Sequence, residues 1–165
     1  MVSAMLEAYL DIETTGLSWH CDYITVIGVY LVNECESKLV QLVGDEVRED
    51  NLRKTLHDVS SIYTYNGSRF DLPFIRAHLE VDLTEAHAHH DLMYDCWNRN
   101  LKGGFKAVER LLGIPRQLTE IDGLEAVRLW WRYKNHDDRD ALMVLLKYNE
   151  EDVVNLKALR ERLLK

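Results

Sequence analysis

The sequence contains little cysteine and little proline. Three cysteines, Cys21, Cys35 and Cys96, lie far apart among 165 residues, and their odd number and spacing argue against a disulfide scaffold or a zinc finger. We therefore expect the thiols to stay reduced. Because there are two prolines and no low-complexity stretch that would act as a linker, we expect residues 1–165 to form a single compact domain.

The sequence also lacks the apolar runs of membrane and secreted proteins. No apolar stretch is long enough to span a bilayer. The N-terminal residues do not combine a basic region with a long apolar run, as a signal peptide would. A cytoplasmic location is the expectation that follows by default.

Positive charge is scarce overall but concentrated in one stretch. The formal net charge is −8, whereas proteins that bind phosphate groups usually show a basic footprint. Clustered carboxylates that hold divalent cations would also lower the net charge. The net charge alone therefore does not exclude a partner that carries phosphate groups. Between positions 97 and 116 a single acid, Glu109, accompanies five basic residues: Arg99, Lys102, Lys106, Arg110 and Arg116.

Hydrophobic periodicity predicts three strands followed by a mixture of strands and helices. Alternation and β-branched residues indicate strands at 7–13, 23–32 and 38–43, which would form an antiparallel meander. Helical spacing indicates a helix at 50–59, with Asp50 as the candidate N-cap. A fourth sheet strand is predicted at 62–65, and a fifth should end near His90 and Asp91. Residues 81–83 are an additional short candidate. Further helices are predicted at 70–79, 92–100, 105–112, 124–134 and 139–164. This order predicts an α/β fold with a five-stranded mixed sheet flanked by helices.

Two acids on the first predicted strand are the first candidates for chemistry. Asp11 and Glu13 stand two residues apart, so their side chains point to the same face. Acid pairs of this kind are common on solvent-exposed strands, which is their ordinary explanation. The apolar neighbours Leu10 and Ile12, and the turn that begins at Thr14, favour instead the open end of a buried strand.

A third acid, Asp71, follows the turn at Asn66 and Gly67 and falls in the first turn of a predicted helix. The helix dipole favours negative charge there, which explains any single acid at such a position. Asp71 is therefore informative only in combination with the other acids.

Tyr148 and Asp152 stand four residues apart on the last predicted helix, so they lie on one face, one turn apart. A solvated acid beside a core tyrosine is the ordinary interpretation, and Glu150 and Glu151 fit it. Asp152 fits it less well, because apolar residues follow it at positions 153, 154 and 156.

Together these signals form an ordered set, with motifs at residues 11–17, 66–71 and 148–153. In this order the sequence resembles the 3′–5′ exonucleases of the ribonuclease H-like superfamily, the DEDD class that includes polymerase proofreading domains. Tyr148 indicates the tyrosine-containing branch, since Lys147 occupies the position where the other branch has histidine. The stretches 104–113 and 123–127 also resemble the YprB-like subgroup of predicted exonucleases, so the resemblance covers nearly the whole chain.

The resemblance implies a ribonuclease H-like fold and metal-dependent hydrolysis of phosphodiester bonds. Asp11, Glu13, Asp71 and Asp152 would hold two divalent ions, Mg²⁺ or Mn²⁺, with Asp11 as the bridging ligand. Oxygen-only ligands suit such hard cations, and a pair of ions can stabilise both the attacking and the leaving oxygen. Tyr148 would orient the attacking water. The product would be a nucleoside 5′-monophosphate, released from the 3′ end of single-stranded DNA or RNA.

Candidate substrate contacts follow from their positions next to these motifs. Residues that directly follow the first two acids could meet the terminal base and sugar, and two residues of the second motif could line the same cleft. The basic stretch could follow phosphates and stack bases on Trp97 and Phe105, although a solvated helix face explains it equally well. The candidates are Thr14, Thr15, Gly16, Leu17, Asn66, Phe70, Lys102 and Lys106.

Two other clusters have simpler explanations than a binding site. His87, His89 and His90 suggest zinc, but zinc needs about four ligands, so a cluster at a strand end is the better interpretation. Consecutive aromatic residues on an amphipathic helix are more often core and rim than a stacking surface. Those aromatic residues are Trp130, Trp131 and Tyr133.

Three rival interpretations stay open beside the exonuclease. The first is a structure-selective endonuclease on the same fold, and the second is a non-catalytic nucleic-acid-binding module. The third is an interaction module of a repair or replication complex. The presence of all four motif acids and the tyrosine argues against a non-catalytic copy. DNA and RNA, and a monomer and an oligomer, are equally compatible with the sequence.

Overall fold

The computed structural model describes residues 5–165, which contain five strands and six α-helices. The strands are β1 (Leu6–Thr14), β2 (Ile24–Val32), β3 (Ser37–Val43), β4 (Val59–Thr64) and β5 (Ala88–Asp91). The helices are α1 (Glu49–Thr55), α2 (Asp71–Leu79), α3 (Leu92–Asn98), α4 (Phe105–Leu112), α5 (Gly123–His136) and α6 (Arg139–Leu163). None of these helices combines the length and the apolar character needed to cross a membrane.

The strands form one mixed sheet in the order β3-β2-β1-β4-β5. The pairs β1–β2 and β2–β3 are antiparallel, whereas β4 runs parallel to β1 and β5 runs parallel to β4. This confirms the predicted meander followed by parallel strands. Because β1, β4 and β5 run in the same direction, their carboxyl ends meet at one edge of the sheet, where α/β proteins commonly bind ligands.

The alternation along β1 gives each face of the sheet its own set of helices. Leu10 and Ile12 point to one face and pack with side chains of α1 and α2. Tyr9 points to the opposite face, where it packs with residues of α3, α4 and α6. Since Asp11 and Glu13 alternate in step with Tyr9, they point toward α6.

Helix α6 packs across β1 and β2 with a face that changes character along its length. Its C-terminal half buries Leu156, Leu159 and Leu163 in an apolar cluster with Tyr9. Its first turns bury Ala141 and Leu145 in a second apolar cluster, with Trp130 of α5. Between these two clusters the middle of α6 buries polar side chains, among them Asn149, so the polar site lies between two apolar regions of the helix.

The helix predicted at 50–59 is too long. Helix α1 ends at Thr55, and Val59 begins β4, where it pairs with Leu6 of β1. The prediction was wrong because Val59 continues the helical spacing of the apolar residues before it, although long-range pairing draws it into the sheet. Arg48 is the N-cap, and the proposed cap Asp50 forms an ion pair with Arg48 instead.

The short strand predicted at 81–83 is also wrong. Residues Leu83–Glu85 form a 3-10 turn. The Asp82 carboxylate accepts hydrogen bonds from the backbone N–H and the hydroxyl of Thr84, at 3.0 and 2.6 Å, which favours this turn over an extended strand. The bounds of the other predicted elements lie close to those of the structure.

Candidate active site

Three carboxylates come together where β1 meets α6. One carboxylate oxygen each from Asp11, Glu13 and Asp152 lies within 4.8 Å of the other two, so the two motifs that hold these acids share one site. Tyr148 lies one turn earlier on α6 and lines the same two cavities as Asp11 and Asp152. Carboxylate oxygens held this close can coordinate a hard divalent cation.

Burial and mutual repulsion disfavour the charged forms of these acids. The pKa of Asp11 is raised well above its ordinary value, first by burial and then by the charges of Asp152 and Glu13. The pKa of Glu13 is raised in the same way, by burial and then by Asp152. Burial also raises the pKa of Asp152 to about 6, although Arg116 beside it acts in the opposite direction. Near neutral pH such a cluster is unfavourable unless a cation balances it.

Asp71 lies beside this cluster rather than within it. It is the buried first residue of α2, and its Oδ2 accepts a hydrogen bond from the backbone N–H of Ile12 at 3.0 Å. Burial raises the pKa of Asp71 to about 7, against the lowering effect of that hydrogen bond. The charge of Asp71 in turn raises the pKa of both Asp11 and Glu13. The four predicted acids therefore form one electrostatic group.

Arg116 binds Asp152 directly, a contact that the sequence analysis missed. Its buried guanidinium donates a hydrogen bond to Asp152 Oδ1 at 2.5 Å and two to Glu109, at 2.7 and 2.9 Å. Asn155 donates to Glu109 as well, at 2.9 Å. Glu109 therefore neutralises and orients Arg116, and Arg116 fixes the position of the Asp152 carboxylate. In the sequence Arg116 was only one member of a basic stretch.

Asn149 fixes Asp11, and it too was missed. Its Nδ2 donates to the backbone oxygen of Asp11 at 3.3 Å and to the Asp11 carboxylate at 3.4 Å, while its Oδ1 accepts from Gln41 at 3.1 Å. Gly28 makes this approach possible, because it pairs with Asp11 across the β1–β2 ladder and a Cβ there would collide with the Asn149 amide. No local sequence signal connects these three residues, which lie on different elements.

Tyr148 presents a neutral phenol to the site. Burial, and then the negative charges of the nearby acids, raise its pKa well above the ordinary value. Lys106 donates a hydrogen bond to the Tyr148 hydroxyl at 3.0 Å and another to the backbone oxygen of Ile121. Since the Tyr148 oxygen accepts from Lys106, its own proton can be donated to a ligand. Lys106, a predicted substrate contact, thus reaches the site beside Tyr148.

The first cavity at the acids, about 420 Å³ in volume, runs along the loop after β1 and the start of α5, and we call it the apolar cavity. Five predicted contact residues line it: Thr14, Thr15, Gly16, Leu17 and Phe70. Leu124 and Val127 of α5 form another part of its wall and were not predicted. Leu17 and Leu124 are 84% and 60% exposed, so they lie at its rim.

The second cavity, about 540 Å³ in volume, shares Asp11, Tyr148 and Asp152 with the first, and we call it the basic cavity. Its other walls include Lys106 and Arg110 of α4 and the stacked rings of Tyr65 and Phe105, whose centroids lie 5.2 Å apart. Two predicted contact residues line neither cavity. Lys102 is exposed and follows α3. Asn66 lies in the loop after β4, where its backbone N–H donates a hydrogen bond to Asp91.

The three histidines that suggested a zinc site instead contact residues of the sheet. His87 Nδ1 lies 2.8 Å from the backbone oxygen of Val59, and His89 Nε2 lies 2.9 Å from the Thr64 hydroxyl. His90 stacks on a tyrosine ring of β4, with centroids 4.9 Å apart. The aromatic residues of α5 divide into core and rim as predicted: Trp130 is buried, Tyr133 packs against it, and Trp131 is 39% exposed.

A divalent cation fits the three-carboxylate cluster. Glu13 Oε1 is buried and has no hydrogen-bond partner among residues 5–165. A buried carboxylate oxygen without a partner is costly, and coordination to a cation would satisfy it. Of the three acids, Arg116 forms a direct ion pair with Asp152. The donors are all oxygens, as Mg²⁺ and Mn²⁺ prefer.

The chain matches the family model of the RNase_H superfamily over residues 8–164. It is also 28% identical, over 166 residues, to the uncharacterized protein YprB of Bacillus subtilis (strain 168). That alignment covers 92% of this chain and 40% of YprB. The chain therefore spans less than half the length of this relative.

Solved structures of two other proteins share the fold. The family B DNA polymerase of the hyperthermophilic archaeon Pyrobaculum calidifontis has a TM-score of 0.72 at 17% identity, covering 98% of this chain and 25% of the polymerase. NrnC of Brucella melitensis bound to pGG has a TM-score of 0.63 at 18% identity, covering 95% of this chain and 71% of NrnC. NrnC with bound Mg²⁺ has a TM-score of 0.59 at 18% identity, with coverage of 95% and 73%. The family match extends over nearly all of the chain, and the chain therefore belongs to the RNase_H superfamily.

Proposed function

We propose that this protein is a metal-dependent 3′–5′ exonuclease, which hydrolyses phosphodiester bonds at the ends of single-stranded DNA or RNA and releases nucleoside 5′-monophosphates. One observation carries the proposal: the acids Asp11, Glu13 and Asp152 converge with Tyr148 where two cavities meet. Acids that hold cations for phosphodiester hydrolysis need an open side toward the substrate, and the two cavities provide it.

The acids would hold Mg²⁺ or Mn²⁺. Asp11, Glu13, Asp71 and Asp152 would hold two such ions. Such ions polarise the phosphodiester and lower the pKa of the attacking water. The partnerless Glu13 Oε1 and the raised pKa values of the acids support a bound cation. NrnC, which shares the fold, binds Mg²⁺.

Tyr148 would orient the attacking water rather than remove its proton. Because the pKa of Tyr148 is raised, the phenol stays protonated near neutral pH and cannot act as a general base. The hydrogen bond from Lys106 fixes the Tyr148 oxygen, and the phenol proton is then available to the water or to a phosphate oxygen. Lys106 also adds positive charge close to the reacting phosphate.

The terminal nucleotide would bind in the apolar cavity. Its volume of about 420 Å³ lies within the range of small-ligand pockets. Thr14 and Thr15 offer hydroxyls to the sugar, while Leu17, Phe70 and Leu124 offer apolar surface to the base. The phosphate next along the strand would meet the basic cavity. Asn66 and Lys102 line neither cavity and would contact only a longer strand. NrnC, solved with pGG, supports a short single-stranded ligand for this fold.

Digestion of 5′-labelled single strands of DNA and RNA with Mn²⁺ tests this function. We expect the wild-type protein to give a ladder that shortens from the 3′ end. Asp11→Asn should lower the rate by about a thousandfold or more, since it removes charge from the ion site. Glu150→Gln is the matched control, because Glu150 lies on α6 but outside the acid cluster. It should leave the rate nearly unchanged.

A strand with a blocked 3′ end separates this function from the rival activities. An exonuclease that starts at a free 3′ hydroxyl should not shorten the blocked strand. Cleavage inside the blocked strand would instead indicate the structure-selective endonuclease. A protein that binds both strands but cleaves neither would contradict catalysis and favour the binding or interaction module.

A further inference from the structure

Two exposed aromatic side chains of α3 lie outside both cavities. Tyr94 and Trp97 are three residues apart, so they share one face of the helix, and each is 39% exposed. Their rings meet edge to face, with centroids 5.4 Å apart and an angle of 86°. The guanidinium of Arg69 lies over both rings, 5.5 Å from the Trp97 centroid and 6.0 Å from the Tyr94 centroid. We call these three residues the aromatic platform.

Three consecutive residues connect the aromatic platform to the proposed active site. Asp71 belongs to the acid group, Phe70 lines the apolar cavity, and Arg69 lies over the platform rings. Since consecutive Cα atoms lie 3.8 Å apart, the Cα atoms of Arg69 and Asp71 are separated by at most about 7.6 Å. The loop that carries Arg69 of the platform therefore also carries a residue of the apolar cavity and leads into the acid group.

Asp91 holds the loop and the helix of the platform together. Its carboxylate caps α3 by accepting from the backbone N–H of Met93 at 3.1 Å. It also accepts from the backbone N–H groups of Asn66 at 2.8 Å and Ser68 at 3.1 Å, and from the Ser68 hydroxyl at 2.5 Å. The loop that carries Arg69 is thus fixed to the helix that carries the two rings, so the platform is preformed.

The charge of the platform suits a nucleic-acid strand. Among residues 5–165, Arg69 takes part in no ion pair, so its guanidinium can pair with a phosphate. Every nucleobase offers a flat face for stacking, whatever its identity. Aromatic rings beside a cation are therefore how proteins hold single strands without sequence preference.

We propose that the aromatic platform binds a base of the single-stranded substrate that lies beyond the two 3′-terminal nucleotides. The base would stack on Trp97, and Arg69 would pair with a neighbouring phosphate. This inference rests on the proposed function and extends the same site. It distinguishes a long strand, which can reach both the acids and the platform, from a dinucleotide, which reaches only the acids.

Trp131 of α5 provides a matched control. It has the same exposure as Trp97, 39%, and forms a similar edge-to-face pair with Tyr23, with centroids 6.3 Å apart and an angle of 87°. It lines neither the apolar cavity nor the basic cavity. Replacing either tryptophan by alanine therefore removes the same side chain from a comparable surface position.

The test compares cleavage of a dinucleotide and of a much longer single strand in the presence of Mn²⁺. We expect Trp97→Ala to raise KM for the long strand by roughly 5- to 150-fold, the range for loss of one stacked base. KM for the dinucleotide should not change, and Trp131→Ala should change neither value. Trp97→Phe should recover most of the affinity for the long strand, because a phenyl ring can also stack. Arg69→Gln should reduce the slope of the logarithm of long-strand affinity against the logarithm of salt concentration by roughly 0.7, because one phosphate contact is lost.

Two results would overturn the aromatic platform as a binding site. One is an equal rise of KM for both substrates, which would assign Trp97 to one of the two terminal nucleotides. The other is an unchanged KM for the long strand. If the wild-type protein cleaves neither substrate, the proposed function fails, and binding of a fluorescent long strand still tests the platform. In that assay Trp97→Ala must bind more weakly than Trp131→Ala, and equal affinities would contradict the inference.

Discussion

The two cavities that meet at Asp11, Tyr148 and Asp152 have different walls. The apolar cavity is lined by the loop after β1 and by the aliphatic side chains of Leu124 and Val127. The basic cavity is lined by α4, which contributes two cations, and by a pair of stacked aromatic rings. A nucleic-acid strand also has two kinds of surface, apolar base faces and charged phosphates. The apolar cavity therefore matches the base faces in character, and the basic cavity matches the phosphates.

The floor that the cavities share differs from both walls. It comes from β1 and α6, and its acids and tyrosine are tied down by buried partners such as Asn149 and Arg116. The walls come from loops and from helices α4 and α5, with rim side chains that are largely exposed. We therefore expect changes in the floor to affect the chemical step, and changes in the walls to affect binding of one kind of surface.

Of the changes that leave all four acids in place, Tyr148→Phe in the floor should have the largest effect. We expect kcat to fall by about 10²- to 10⁴-fold, because the variant loses the proton that would orient water. Affinity for Mn²⁺ should stay nearly the same, since the phenol is not among the expected ligands. Steady-state kinetics and calorimetric titration with Mn²⁺ measure the two quantities. Loss of Mn²⁺ binding would contradict this role for Tyr148, and Tyr133→Phe on α5 serves as the control.

The two walls should differ in their response to salt. Leu124→Ala and Arg110→Ala should each raise KM by about tenfold, a loss of about 1.4 kcal/mol, with kcat little changed. For Arg110→Ala the salt dependence of KM should weaken, because a phosphate contact is lost, whereas for Leu124→Ala it should stay as in the wild type. KM measured across a series of salt concentrations tests this. If both variants keep the wild-type slope, the basic cavity does not bind phosphate.

The parts of the site that were predictable from sequence depend on local periodicity. Alternation along β1 put Asp11 and Glu13 on one face, and helical spacing put Tyr148 one turn from Asp152. The same local rules failed at Val59, which fits a helical pattern but pairs with β1. Local periodicity predicts which face of an element a side chain occupies. It does not predict which distant segment forms hydrogen bonds with the backbone of that element.

The partners of the acids were not predictable, because they depend on contacts between distant segments. Arg116 and Asp152 are 36 residues apart, and Asn149 and Asp11 are 138 residues apart. Gly28 carries no turn signal, and its importance lies only in the close approach of the Asn149 amide. No periodicity in the sequence relates such pairs.

The basic stretch between positions 97 and 116 illustrates the same limit. In the structure its charges serve different purposes. Arg116 is buried against Asp152, and Arg99 donates to the backbone oxygen of Leu163 at the end of α6. Lys106 and Arg110 are the members of the stretch that line the basic cavity. Charge density along a sequence therefore overestimates the charge that a folded surface offers to phosphate.

The smallest expected effect concerns stability and arises from the group of four acids. The folded-state pKa values of Asp71 and Asp152, about 7 and about 6, lie above the ordinary value of 3.8. The folded protein therefore binds protons more readily than the unfolded chain in this range. The resulting stabilisation is fully present below about pH 4 and is lost as pH rises through 6 to 7. The metal-free protein should thus melt at a lower temperature at pH 8 than at pH 5.

Bound cations should counteract this loss of stability at high pH, since protons compete with them for the same carboxylates. We expect millimolar Mg²⁺ or Mn²⁺ to raise the melting temperature by a few degrees at pH 8 and by much less at pH 5. Thermal melts at both pH values, with and without the metal, measure this difference. Asp71→Asn should flatten the pH dependence of the metal-free protein, because it removes one of the four acids whose pKa is raised, whereas Leu124→Ala in the apolar wall should preserve it. A melting temperature that does not respond to the metal at pH 8 would mean that the acids do not form a cation site.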